Sequence, residues 1–161
     1  MKGIRLIVFL LALSLAAASA GSDDIFGQLA GTWKGGGEVR GMPSEQSMVW
    51  APALDGRFTR LQFSNRMTTP DGGEFHFQAH AYYRVMPDGA VSGHWFDSRG
   101  VSFPLNGSQA PACLSIEWGT ADTELGRTGY CILEGRLDVT DEVMDAGGEW
   151  RVFGRSTLKR P

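Results

Sequence analysis

Met48-Val49-Trp50-Ala51-Pro52-Ala53-Leu54-Asp55-Gly56-Arg57-Phe58-Thr59-Arg60-Leu61-Gln62-Phe63 is the stretch that decides the fold. Two runs rich in aromatic and branched residues flank Asp55-Gly56, the dipeptide favoured in the two-residue type I′ hairpin turn. Pairing Leu54 with Arg57 across that turn sets Trp50 opposite Leu61 and Met48 opposite Phe63. Side chains alternate along a strand, so this register gathers the large apolar groups on one face and the polar ones on the other. A one-residue slip would scatter both sets.

The same arithmetic extends along the chain. Turn signals recur at Thr69-Pro70-Asp71-Gly72-Gly73, Pro87-Asp88-Gly89, Ser98-Arg99-Gly100 and Asp145-Ala146-Gly147-Gly148. A turn centred on Asp71 puts Phe63 near Ala79 and Leu61 near Ala81. The next, at Asp88, puts Ala81 near Trp95 and Tyr83 near Gly93, and the turn at Arg99 brings Trp95 to Phe103. One apolar face thus crosses the successive strands without a break. A sheet this wide with one apolar side must close or pack on another sheet, and short sequential hairpins favour closure. The expectation is an all-β, antiparallel up-and-down barrel of about nine strands. Apart from a short turn at 23–29, no segment has a helical period.

A turn centred on Asp122 sets Cys113 opposite Cys131, the only two cysteines. Directly opposed residues bring Cβ atoms to about 4.5–5.5 Å, so the pair is expected to form a cross-strand disulfide. Its sulfurs point outward, while Leu114, Ile116, Trp118, Tyr130 and Ile132 face inward.

Residues 1–20 read as a secretory signal: Lys2 and Arg5, an apolar core from Leu6 to Ala16, and the small-residue site Ala18-Ser19-Ala20. That core is shorter than the ~20 apolar residues of a spanning helix. The expected organisation is therefore a signal at 1–20 and one domain at 21–161, periplasmic or secreted, where a cysteine pair oxidises readily. Without Lys2 and Arg5, thirteen cations face eighteen acids, a formal charge of −5 with no basic run. That balance disfavours nucleic acid as a partner, and no integral membrane span is expected once the signal is removed.

Leu29-Ala30-Gly31-Thr32-Trp33-Lys34-Gly35-Gly36-Gly37-Glu38 resembles the opening of nitrobindin-type domains, and Leu54-Asp55-Gly56-Arg57-Phe58 and Trp95-Phe96-Asp97-Ser98 resemble bacterial lipocalin-like domains of unknown function. The order of a signal, a short turn, a Gly-x-Trp strand and an antiparallel meander is similar to that of lipocalin-like (calycin) barrels over nearly all of residues 25–160. The resemblance implies that Trp33 plugs the closed end of the barrel, packed by an arginine of the last strand, with Arg151 or Arg155 as candidates. It also implies haem, which nitrobindin-type domains hold through a histidine near the C-terminus. Here no histidine follows His94, so haem is disfavoured and no cofactor is expected.

The candidate ligand-binding wall is Trp50, Leu61, Phe63, Phe77, Ala81, Tyr83, Trp95, Phe103, Ile116, Trp118 and Tyr130. Rings of this kind bury much area at low rotamer cost, and Tyr and Trp add a polar handle. The opposite face collects Arg60, Gln62, Ser64, Gln78, Tyr82, Arg84 and all three histidines, His76, His80 and His94. Polar alternation reads as a solvated outer wall. The contrary reading turns the barrel inside out and makes His80 and His94 a weak metal pair. No Gly-x-Ser-x-Gly or ordered Ser, His and Asp set marks a nucleophile, and no catalytic residue is assigned. The function expected is binding of a small apolar molecule. The alternatives are a haem protein with peroxynitrite or NO chemistry and a non-enzymatic envelope protein with a filled barrel.

Overall fold

The computed structural model describes residues 24–161, and the expected signal at 1–20 lies outside them. A single short helix, α1 (Ile25–Leu29), precedes ten strands: β1 (Gly31–Val39), β2 (Met42–Ala53), β3 (Phe58–Thr68), β4 (Glu74–Val85), β5 (Val91–Asp97), β6 (Ser102–Ala110), β7 (Cys113–Gly119), β8 (Leu125–Leu133), β9 (Arg136–Met144) and β10 (Trp150–Lys159). Each strand pairs antiparallel with its neighbours in sequence, and β1 pairs with β10 to close the barrel. The count is ten, against the nine or so expected from the sequence. Arg40-Gly41 separates β1 from β2 with φ of 52° and 76°, a tight hairpin in which arginine replaces the usual Asn or Asp before glycine.

The registers derived from the turns are those observed. Trp50 pairs with Leu61, Met48 with Phe63, Ala81 with Leu61 and Trp95, and Trp95 with Phe103. The Asp55-Gly56 loop differs in detail. Leu54, Asp55 and Gly56 all have positive φ, and the ladder closes one pair earlier, at Ala53 and Phe58. The face assignment survives because the parity of the flanking strands is unchanged.

Gly35, Gly36 and Gly37 explain the seam. A Cβ at Gly35 or Gly37 would collide with the carbonyl oxygens of Thr157 and Arg155 on β10, and one at Gly36 with that of Ser44 on β2. Strand β1 therefore lies closer to both neighbours than a residue with a side chain would permit.

The two ends of the barrel differ. At one end α1 turns inward, capped by Asp24, whose carboxylate accepts from Phe26 N at 3.0 Å. Its Ile25, Phe26 and Leu29 are buried against Trp50, Leu61, Tyr83, Leu114, Leu137 and Leu158. Burial of each such side chain contributes about 1.5–3 kcal/mol, so a five-residue helix with no stability of its own is held as a plug. The opposite end carries the β1–β2, β3–β4, β5–β6, β7–β8 and β9–β10 turns and remains open. No helix among the described residues is long and apolar enough to cross a membrane.

Candidate ligand-binding site

The closed end is fastened by an arginine, though neither of the two expected. Trp33 is 1% exposed, and its indole N–H donates to Leu29 O at 2.7 Å. The guanidinium over its ring is that of Arg160, 4.3 Å from the centroid, just beyond β10. Arg160 also donates to Ala30 O at 2.8 Å and Gln28 O at 2.7 Å, tying the chain's end to the helix plug. Arg151 lies at the open end, paired with Asp145, and Arg155 is exposed on the outer wall. The expectation failed because β10 runs from the open end to the closed one, so an arginine that reaches Trp33 must come last.

Above the plug the barrel is hollow. A cavity of about 490 Å³ opens towards the end opposite α1, within the range of small-molecule pockets. Of the expected wall, Phe63, Phe77, Tyr83, Trp95, Phe103, Ile116, Trp118 and Tyr130 line it. Trp50, Leu61 and Ala81 face inward but lie deeper, in the core filled by α1, and do not line it. Two aromatic groups shape the cavity: Phe63, Phe77 and Trp95 on one side, with centroids 6.1–6.3 Å apart, and Phe103 and Trp118 on the other, 5.7 Å apart. Phe153 completes the second group, edge-on to Trp118 at 6.5 Å. A shift in register between Val152 and Gly154 leaves Phe153 as the extra residue of a β-bulge, which aims it at the mouth.

The mouth is spanned by charge. Arg40 reaches Glu124 at 3.6 Å, and Arg99 donates to the other oxygen of the same carboxylate at 3.2 Å. Arg99 also grips Asp97 at 2.8 Å, and Trp95 Nε1 donates to that carboxylate at 3.0 Å. Burial alone would raise the Asp97 carboxyl, but the bonds from Arg99 and Trp95 outweigh it and hold the group below its ordinary range. Both guanidiniums lie over rim rings, Arg40 over Phe153 at 5.5 Å and Arg99 over Phe77 at 5.6 Å. The two cations of the rim are thus matched by the two rim carboxylates.

Inside, one carboxyl has no such partner. Leu137, Val139 and Asp141 share the inward parity of β9, and Thr128 Oγ1 donates to Asp141 Oδ1 at 2.7 Å. Trp118 Nε1 donates in turn to Thr128 Oγ1 at 3.2 Å. Asp141 is half-buried and borders the cavity. Burial pushes its carboxyl up from 3.8 to about 6, against the lowering effect of the Thr128 bond. Tyr83 and Tyr130 stay protonated for the same first reason, burial, and the nearby Asp141 adds to it. A second polar group lies across the lumen, where Ser44 Oγ donates to Asn65 Oδ1 at 2.9 Å and Gln46 Nε2 donates to Ser44 Oγ at 3.1 Å. Gln46 Oε1 is buried there without a partner among the described residues.

Neither this polar set nor Asp141 stood among the expected site residues, although parity pointed to them. Asn65 lies two residues from Phe63, Gln46 two from Met48, and Asp141 two from Val139.

The outer wall carries His76, His80 and His94, all exposed, with His80 opposite Phe96. None of the three lines the cavity. Among the described residues no three His, Cys, Asp or Glu cluster as a metal site. Cys113 and Cys131 are bridged on the β7–β8 ladder with Cα atoms 4.2 Å apart, and neither belongs to the cavity lining. No protein-family model matches the chain, and no curated protein matches it significantly.

Proposed function

We propose that this protein is an exported, non-enzymatic binder of a small, mainly apolar molecule, which it holds in the open half of the barrel. The observation that carries the reading is the division of the interior. The buried residues of α1 occupy one end, while eight of the expected wall side chains surround about 490 Å³ of unfilled space at the other. A barrel whose role was only structural would gain by filling that space, because each buried methylene is worth about 0.8 kcal/mol. Export rests on the signal-like residues 1–20 and agrees with a bridged cysteine pair.

Native mass spectrometry of the protein purified from its own compartment tests the reading, with an absorbance spectrum of the same sample. The expected result is a chain starting at Gly21, two hydrogens lighter for the disulfide, with a stoichiometric small-molecule adduct. A Soret band would move the assignment to haem, with Tyr130 or a lumen methionine as axial ligand. A bare polypeptide that takes up no apolar probe would move it to a structural or interaction role.

A further inference from the structure

We propose that the molecule held in the lumen carries a protonated amine, and that Asp141 is the residue that receives it. This inference rests on the carrier reading and adds the chemical class of the ligand.

The argument begins with charge balance. Four ionisable side chains border the cavity outside its tyrosines: Arg40, Arg99, Glu124 and Asp141. The first three are bound to one another across the mouth, with Asp97 completing the set. Asp141 has no cation among the described residues, and its one hydrogen bond is to the neutral Thr128 hydroxyl. Its Oδ2 makes no hydrogen bond among the described residues and lies beside Gly154, where a Cβ would come within 3.0 Å of it. A side chain at that position would crowd the oxygen, and glycine leaves the approach clear.

The surroundings suit an ammonium as well. Tyr83, Trp118 and Tyr130 line the same part of the lumen, and a cation set between a carboxylate and aromatic faces gains from both. An anionic ligand would instead meet the uncompensated carboxylate, and the rim arginines are already engaged. The combination of aromatic walls, the carboxylate and the cavity size describes an aryl-alkyl amine or a larger apolar amine. The raised pKa of Asp141 accords with this, since burial without a counterion penalises the carboxylate and an ammonium would relieve that penalty.

Three probes with one indole and different heads decide the matter: tryptamine, tryptophol and indole-3-propionate, each titrated calorimetrically into the protein at neutral pH. Tryptamine is expected to bind about tenfold tighter than tryptophol, with indole-3-propionate weakest. In Asp141→Asn, which keeps the shape and the Thr128 bond, the advantage of tryptamine is expected to vanish while tryptophol affinity stays. Tryptophol binding as well as or better than tryptamine, or an ammonium preference that survives Asp141→Asn, overturns the inference and leaves the carrier reading standing. If none of the three probes binds, and a neutral apolar reporter such as 1-aminoanthracene does not either, both fail together.

Discussion

Replacing Asp141 by Asn should make the protein more stable at neutral pH, and by an amount that disappears in acid. Burial raises the Asp141 pKa to about 6 in the folded state, against 3.8 for the free side chain. Between those values the folded protein keeps a proton that the unfolded chain has released. Stability therefore declines as pH rises from about 4 through about 6 and levels off above. A gap of about two pH units corresponds to about 3 kcal/mol, and lumen water reduces this to about 2. Asparagine carries no charge at any of these values and still accepts the Thr128 bond. Urea unfolding of both proteins at a series of pH values, with ligand removed, reads the effect. The contributions of every other titrating group cancel in the difference. The variant is expected to gain about 2 kcal/mol over wild type at pH 7.5 and nothing at pH 4. A difference that is constant with pH, or one in which wild type gains as pH rises, would refute the claim that Asp141 is buried without a counterion.

Arg160→Ala removes a stacked guanidinium and its bonds to Ala30 and Gln28, and should cost about 1–3 kcal/mol in urea unfolding. Arg155→Ala, on the outer wall, should stay within about 0.5 kcal/mol. Gly126→Ala drives a methyl into the Trp118 ring and should cost about 1–3 kcal/mol, with a changed near-ultraviolet dichroism as Trp118 loses Thr128. A Cys113→Ser, Cys131→Ser double variant, titrated with the same denaturant, should lose about 3 kcal/mol without losing probe binding, because the bridge lies away from the cavity lining.

Much of this architecture is legible from the chain, for a physical reason. Asp-Gly and Pro-Asp-Gly turns name their own hairpin centres, and strict alternation then carries a register across several strands. Arg40-Gly41 is not legible as a turn, because positive φ at arginine has no sequence signature, and the boundary between β1 and β2 is hidden with it. Phe153 is another case, since a bulge inserts one residue and breaks the parity on which the reading depends. The site was half legible. Aromatic residues declare an inner wall, whereas Asn65, Gln46 and Asp141 are of types that usually face water, and only their spacing from Phe63, Met48 and Val139 betrays them. Arg160 lies past the last strand and takes its role from a chain direction that composition does not express.

Because α1 and Arg160 meet at the plugged end, the barrel's first and last described residues both leave from the side remote from the mouth. Anything joined before residue 24 or after Pro161, such as a tether, a tag or a second domain, would therefore hold the cup with its opening turned outward and unobstructed. The same closeness suits circular permutation: a short linker could join Pro161 to residue 24, and new ends could be cut at Gly72-Gly73 on the exposed rim, with every strand neighbour kept.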